Sequence, residues 1–197
     1  MSAVPATVCG ICVLSVLVSG SAYASEPQDV CGFERIVVTA GEPMQLAELV
    51  TRADLVVEGA TADSRTYLTS EGDIYTDYTF ELRAVIKNLR RPDLRAGQKI
   101  TLRRETGVVV VNSRTAESHE NGFPRFTRGE RYILFLKDDG SDHVYTMFGG
   151  AQGAFSADDD RVTPVARSFD ANAEPPHAMP RLAFLGEVRA LLKFGHE

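Results

Sequence analysis

From Ile74 onward the residues sort by twos. Ile74, Thr76, Tyr78, Phe80 and Leu82 fall on one side and Tyr75, Asp77, Thr79, Glu81 and Arg83 on the other. This is the period of a half-buried β-strand, and Glu71-Gly72-Asp73 just before it is a turn signal. The run Leu55-Val56-Val57-Glu58-Gly59-Ala60 predicts a short buried strand with a bulge or sharp bend at Gly59. Lys99–Arg103 returns as a strand after a loop through Arg90-Arg91-Pro92-Asp93 and Ala96-Gly97, and Gly107–Val111 is another. Residues 112–122 are polar, with Asn121-Gly122 closing a loop. Arg131–Leu136 is almost continuously apolar, which predicts a central strand buried on both faces.

Further along, Asp138-Asp139-Gly140 reads as a tight hairpin turn into His143–Met147. Gly149-Gly150 and Gly153 flank Ala154-Phe155, and Arg161–Val165 reads as a final strand with Pro164 at an edge. Ile36-Val37-Val38 suits a short edge strand. Two segments break the strand pattern. Pro43–Ala53 predicts a helix with Leu46, Leu49 and Val50 on one side. Leu182–Phe194 predicts a second, in which Phe184, Leu185, Val188, Leu191 and Leu192 span an arc of roughly 120°. Docking of that face across an open end of a barrel is the expectation. Residues 169–180 contain Pro175-Pro176 and Pro180 and read as a linker.

The fold expected is therefore mainly β: a small curled or closed barrel, OB-like, with an N-terminal helix and a C-terminal amphipathic helix. Its parts are a segment 1–24, an extension 25–42, the barrel 43–168, the linker 169–180 and the helix 181–197. Residues 1–24 hold no acidic or basic side chain, and their apolar run Val8–Val18 ends before Ala22-Tyr23-Ala24, a small-x-small cleavage pattern. That segment reads as a signal peptide, and the mature chain is expected to be periplasmic or secreted, without a transmembrane segment. The apolar core is too short, and too broken by Gly and Ser, for a membrane helix of about 20 residues. Cys31 is then the one cysteine left, so the fold has to stand without an internal disulfide. Cys31 reads as an unpaired thiol in the extension, with a mixed disulfide as the alternative.

Composition adds a charge argument. The chain has 197 residues and a net charge of −6, which disfavours nucleic acid as a general partner. Against that background Arg83, Lys87, Arg90, Arg91, Arg95, Lys99, Arg103 and Arg104 stand together with Asp93 as the one acid among them. Such a segment suits an acidic protein, a polysaccharide or lipid headgroups; the alternative is a hairpin whose outward positions are merely charged. Catalytic and cofactor motifs are missing, so no cofactor or metal is expected. His119, His143, His177 and His196 have no metal-pair spacing, with His119 and His177 expected in loops. Asp158-Asp159-Asp160 lacks the alternating ligands of a calcium loop and reads as a solvated turn.

Several of these motifs come in a familiar order: Ala53-Asp54-Leu55-Val56-Val57-Glu58-Gly59, Tyr75-Thr76 with Thr79-Phe80, Gly129-Glu130-Arg131-Tyr132 with Leu134-Phe135-Leu136, and Gly149–Phe155. Over about residues 46–156 the chain resembles a group of exported bacterial β-barrel domains without assigned function. More distantly it is similar to the five-stranded OB barrel of tissue inhibitors of metalloproteinases and netrin-like modules. The resemblance implies a barrel that supports binding, and it names no ligand. Those inhibitors present an N-terminal cysteine to a protease metal, whereas the mature end expected here is Ser25, with Cys31 inside.

The function expected is an exported, non-catalytic binding module for an anionic partner. A small secreted hydrolase using scattered acids and His143, and a loop-based protease inhibitor, stand as alternatives. Mass spectrometry of the exported protein should find an N-terminus at Ser25 and no attached lipid; residues 1–24 retained in a membrane fraction would contradict this.

Overall fold

A computed structural model describes residues 34–37, 44–120, 123, 125–141, 143–166 and 177–194, with backbone alone at 34–37 and 194. The predicted signal segment, Cys31 and His196 lie outside these residues. The elements in chain order are β1 (Glu34–Val37), α1 (Leu46–Arg52), β2 (Leu55–Leu68), β3 (Ile74–Asn88), β4 (Lys99–Arg104), β5 (Gly107–Val111), β6 (Arg114–Glu120), β7 (Arg131–Asp138), β8 (Val144–Met147), β9 (Ala154–Ala157), β10 (Arg161–Pro164), β11 (Met179–Pro180) and α2 (Arg181–Phe194).

The alternation that begins at Ile74 is realised over the first half of β3, where Ile74, Thr76, Tyr78, Phe80 and Leu82 are all buried. β3 pairs antiparallel with β2 and with β4. β2 pairs antiparallel with β7 along Leu55–Ala60, while β4 meets β8 in parallel at Thr101–Val144 and Leu102–Tyr145. β8 then pairs with β7, from Leu136–Met147 to Asp138–Tyr145, and the ring β7-β2-β3-β4-β8 is closed. This is the small closed, OB-like barrel expected. The bend foreseen in β2 is present: its register with β3 shifts between Glu58 and Gly59. A side chain at 59 would stand 3.0 Å from the Glu81 carbonyl oxygen, so any larger residue there would press on the backbone of β3.

Inside the ring lies an apolar core that includes Leu55, Val57, Phe80, Leu82, Ile100, Leu102, Leu134, Leu136 and Tyr145. Between β6 and β7 the chain dips into it. Phe126 meets Phe123, Tyr78, Phe80 and Tyr132 edge-on, with centroids 4.7–5.3 Å apart. The Tyr132 hydroxyl fixes this plug by accepting the Thr127 N–H and donating to Glu130.

β7 is buried on both faces from Tyr132 to Leu136, as its apolar run predicts. Its second core lies outside the ring, where Val56, Ile133, Phe135, Phe155 and Val162 meet Leu49 and Val50 of α1 and Phe184, Leu185 and Val188 of α2. This corrects the expected position of the C-terminal helix: its apolar face covers the outer wall of the barrel beside α1. The physical reason is β7, whose second apolar face would otherwise meet water. Two polar contacts hold the start of α2, a 2.6 Å ion pair from Arg181 to buried Glu58 and a hydrogen bond from Arg181 N–H to the Asp160 carbonyl.

Residues 112–122 need a second correction. Arg114–Glu120 is strand β6, antiparallel to β5 and parallel to β1, in a separate sheet of order β1-β6-β5. Asn112 and Ser113 make its turn with positive φ of 52° and 64°, a two-residue hairpin without glycine. The proposed linker also ends in structure, because β11 pairs with Arg161 and Val162. No helix among the described residues is long and apolar enough to cross a membrane.

Phe184 is 1% exposed and Leu182 is 79% exposed on the same helix. In urea unfolding, Phe184→Ala should cost about 3–5 kcal/mol, as truncating a buried aromatic does, while Leu182→Ala should leave the midpoint in place. Equal, small effects of both changes would show that α2 does not bury this face.

Candidate functional site

The eight cations between 83 and 104 do not form one patch, because their places in the β3–β4 hairpin give them different neighbours. Lys87, near the end of β3, points at the last turn of α1. Its ammonium donates to the carbonyls of Val50, Thr51 and Ala53 at 2.7, 2.9 and 2.6 Å. Helix α1 ends without a glycine, and this lysine satisfies its orphan carbonyls. Burial pushes the pKa of Lys87 down, with Asp54 opposing.

Arg91 bridges the hairpin loop to the end of β7, donating to Asp138 at 3.2 Å and to the Ser141 carbonyl at 2.7 Å. Burial works to raise the pKa of Asp138, but the Gly140 N–H and the Arg91 guanidinium outweigh it and hold the carboxyl below its ordinary value. Arg90 stands 3.7 Å from Asp54 and is largely exposed.

Arg103 and Arg104 are successive residues of β4 and so face opposite sides. Arg103 points outward and makes two parallel bonds to Asp77, at 2.8 and 2.9 Å, with the rings of Tyr67 and Tyr75 5.8 and 5.9 Å away. The Asp77 hydrogen bonds hold the Arg103 pKa above its ordinary value. Arg104 points inward and is buried. It donates from Nε and Nη2 to Glu120 at 3.1 and 2.9 Å, and its guanidinium lies 3.4 Å from the centroid of Phe123. Burial pushes its pKa down and Glu120 opposes the shift.

Arg104 and Glu120 also line a cleft of about 450 Å³, with Tyr75, Arg103, Glu105, Thr146, Met147 and Gly150. The cleft arises from the strand pairing. β4 and β8 are paired only at Thr101–Val144 and Leu102–Tyr145; beyond these Thr146 and Met147 turn to β7, and the seam opens. Gly150, with φ of 55°, sits where a side chain would stand 3.2 Å from Glu120 Oε1. The cations on the cleft are matched: Arg103 by Asp77 and Arg104 by Glu120.

The other three cations are placed differently. Arg83, Arg95 and Lys99 are exposed and make no ion pair among the described residues. The Gly97 N–H bonds the Leu82 carbonyl, and the Leu82 N–H bonds the Gln98 carbonyl. These bonds bring Arg83 beside residues 97 and 98, between Arg95 and Lys99 along the chain. The nearest acids in sequence and register are Asp93 and Glu81, the latter directly opposite Lys99.

The remaining candidates separate. His119 lies on β6, not in a loop, with its Nε2 3.1 Å from Glu117. His143 begins the step into β8 with φ of 55°, and its carbonyl accepts the Thr101 N–H. It is not among the described residues lining the cleft. His177 is exposed, next to β11. Asp158 accepts the N–H groups of Asp160 and Arg161, which hold its carboxyl below the ordinary range, and Asp159 pairs with Arg131 at 2.6 Å. That is the turn read from the sequence. Among the described residues no three His, Cys, Asp or Glu side chains gather as a metal site. Sequence reasoning missed the Arg104–Glu120–Phe123 cluster, because nothing in the pattern announces a pairing between a strand and a polar segment then read as a loop. No protein-family model matches the chain, and no curated protein matches it.

Removing one partner of a buried ion pair leaves the other charge stranded. Glu120→Gln should therefore cost about 3 kcal/mol in urea unfolding, the low end for a buried pair because its edge faces the cleft. Arg104→Met combined with Glu120→Leu should recover most of that loss. A single variant as stable as the parent would remove the pair from the account.

Proposed function

We propose that the chain is an exported binding module that carries out no reaction of its own and docks an anionic partner at the Leu82–Lys99 end of the β3–β4 hairpin. The observation behind this reading is the charge balance of the eight cations. Lys87, Arg91, Arg103 and Arg104 are engaged within the fold and Arg90 is partly matched, while Arg83, Arg95 and Lys99 are exposed at one end with no ion partner among the described residues. Exposed pairs contribute little to stability, so these three cations have little structural role. In a chain of net charge −6 they form a local source of attraction reaching about 8 Å in physiological salt.

Export rests on the signal-like segment 1–24, and the likeness to exported barrel domains supports the same reading. The resemblance to the netrin-like inhibitors enters only through the barrel, a fold that serves many binding functions. A hydrolytic reading gains nothing from the cleft, since Glu120 is held there as the counter-ion of Arg104 and His143 does not reach its lining.

Each basic residue near an anionic surface contributes about 1 kcal/mol, so Arg83→Gln, Arg95→Gln and Lys99→Gln together should weaken binding about a hundredfold. The probes are phosphatidylserine vesicles and a sulfated polysaccharide, each at low and raised salt. Salt-sensitive binding to either one, lost in the triple variant with the melting curve unchanged, is the expected result. Binding that survives the triple change, or binding to neither probe, would overturn the reading. As a control, Lys87→Met should lower stability and leave binding alone.

A further inference from the structure

Strand β5 forms one edge of its sheet, paired on its other side with β6. Its sequence is Gly107-Val108-Val109-Val110-Val111, and the neutral stretch runs from Thr106 through Ser113. Natural edge strands are usually blunted by charge, proline, a bulge or a covering element. Val108–Val111 hold no charge or proline, and among the described residues no strand pairs with their outer edge. The first residue of β5 is braced, since a side chain at Gly107 would stand 2.4 Å from Thr66, but beyond it the strand projects. Val110 is 71% exposed, and Val108 and Val111 are 37% and 38% exposed. No backbone hydrogen bond to the outer edge of β5 is present among the described residues. Four β-branched residues without charge or proline also have the composition that favours strand addition.

We infer that β5 is a self-association edge, and that two copies pair antiparallel through it to make one continuous sheet of order β1-β6-β5-β5-β6-β1. A second copy suits this edge on three counts. A strand paired antiparallel with itself about a two-fold axis closes after two copies, with the same residues contributed by each side. The strand carries no charge, so the general repulsion between two chains of net charge −6 is weakest where they would touch. Its ends differ in sign, with Glu105 before it and Arg114 after its turn, so an antiparallel copy brings unlike ends together and a parallel one does not. Pairing places Val108 near Val110 of the other copy and covers the most exposed valine among the described residues. This inference is independent of the anionic docking reading, whose residues lie on another hairpin.

Sedimentation equilibrium of the full chain, from about 1 to 100 µM, tests it against typical dissociation constants. A reversible species of twice the 21.5 kDa monomer mass is expected. Val108→Lys with Val110→Lys places like charges face to face across the two-fold axis and should weaken the dimer at least tenfold, with an unchanged melting curve in dilute solution. Because both side chains are exposed in the monomer, Val108→Thr with Val110→Thr gives a second, milder variant that should keep the dimer. A wild-type chain that stays monomeric throughout, open-ended growth beyond the dimer, or a dimer indifferent to the lysines would each overturn the inference.

Discussion

The five buried side chains of Tyr132-Ile133-Leu134-Phe135-Leu136 have to satisfy two cores at once, and most of the fold follows from how they do so. Tyr132, Leu134 and Leu136 face into the barrel, whereas Ile133 and Phe135 face the layer under α1 and α2. One edge of β7 belongs to β2 along Arg131–Leu136. The other is divided, with β9 along Arg131–Leu134 and β8 along Leu136–Asp138. The β8 half closes the ring. The β9 half leads away through β10 and β11 and delivers α2 to the outer wall. The reversal between these halves passes through Gly149-Gly150-Ala151-Gln152-Gly153, where a side chain at 153 would collide with the Phe148 carbonyl oxygen 2.0 Å away.

The same division explains the cleft. Because β8 leaves β4 to serve β7, the parallel seam is only two residue pairs long, and Arg103–Glu105 are left facing Thr146 and Met147 across an opening. A charge in such a place is costly unless matched, and Arg104 is matched by Glu120 in front and by the ring of Phe123 behind. The barrel thus uses part of its positive charge as internal fastening. At the other end of the β3–β4 hairpin Arg83, Arg95 and Lys99 are left to solvent and make no ion pair among the described residues.

The β-rich fold was legible where burial imposes a period. The faces of β3, the two-sided run of β7, the bend at Gly59 and the apolar stripe of α2 could all be read, because each reflects which side chains meet water. Position was less legible than pattern. The stripe on α2 says that Phe184, Leu185 and Val188 are covered, and only the spare face of β7 says by what. β6 escaped notice because Arg114–Glu120 has no apolar alternation; backbone pairing with β1 and β5 carries it. The cationic run was legible as charge but not as geometry, since the partners Asp138, Glu120 and the carbonyls of α1 lie far away in sequence or carry no side-chain signal.

β7 should be the last element to lose its protection, because two cores and three neighbouring strands hold it. Hydrogen exchange of the full chain, followed residue by residue with rising urea, tests this most directly. The amides of Ile133–Leu136 and of Leu55–Val57 should exchange slowest, on one common clock set by global unfolding, while those of β5 and β6 open earlier and locally. Exchange of the β7 amides through a local opening, ahead of β5 and β6 and insensitive to urea, would contradict it.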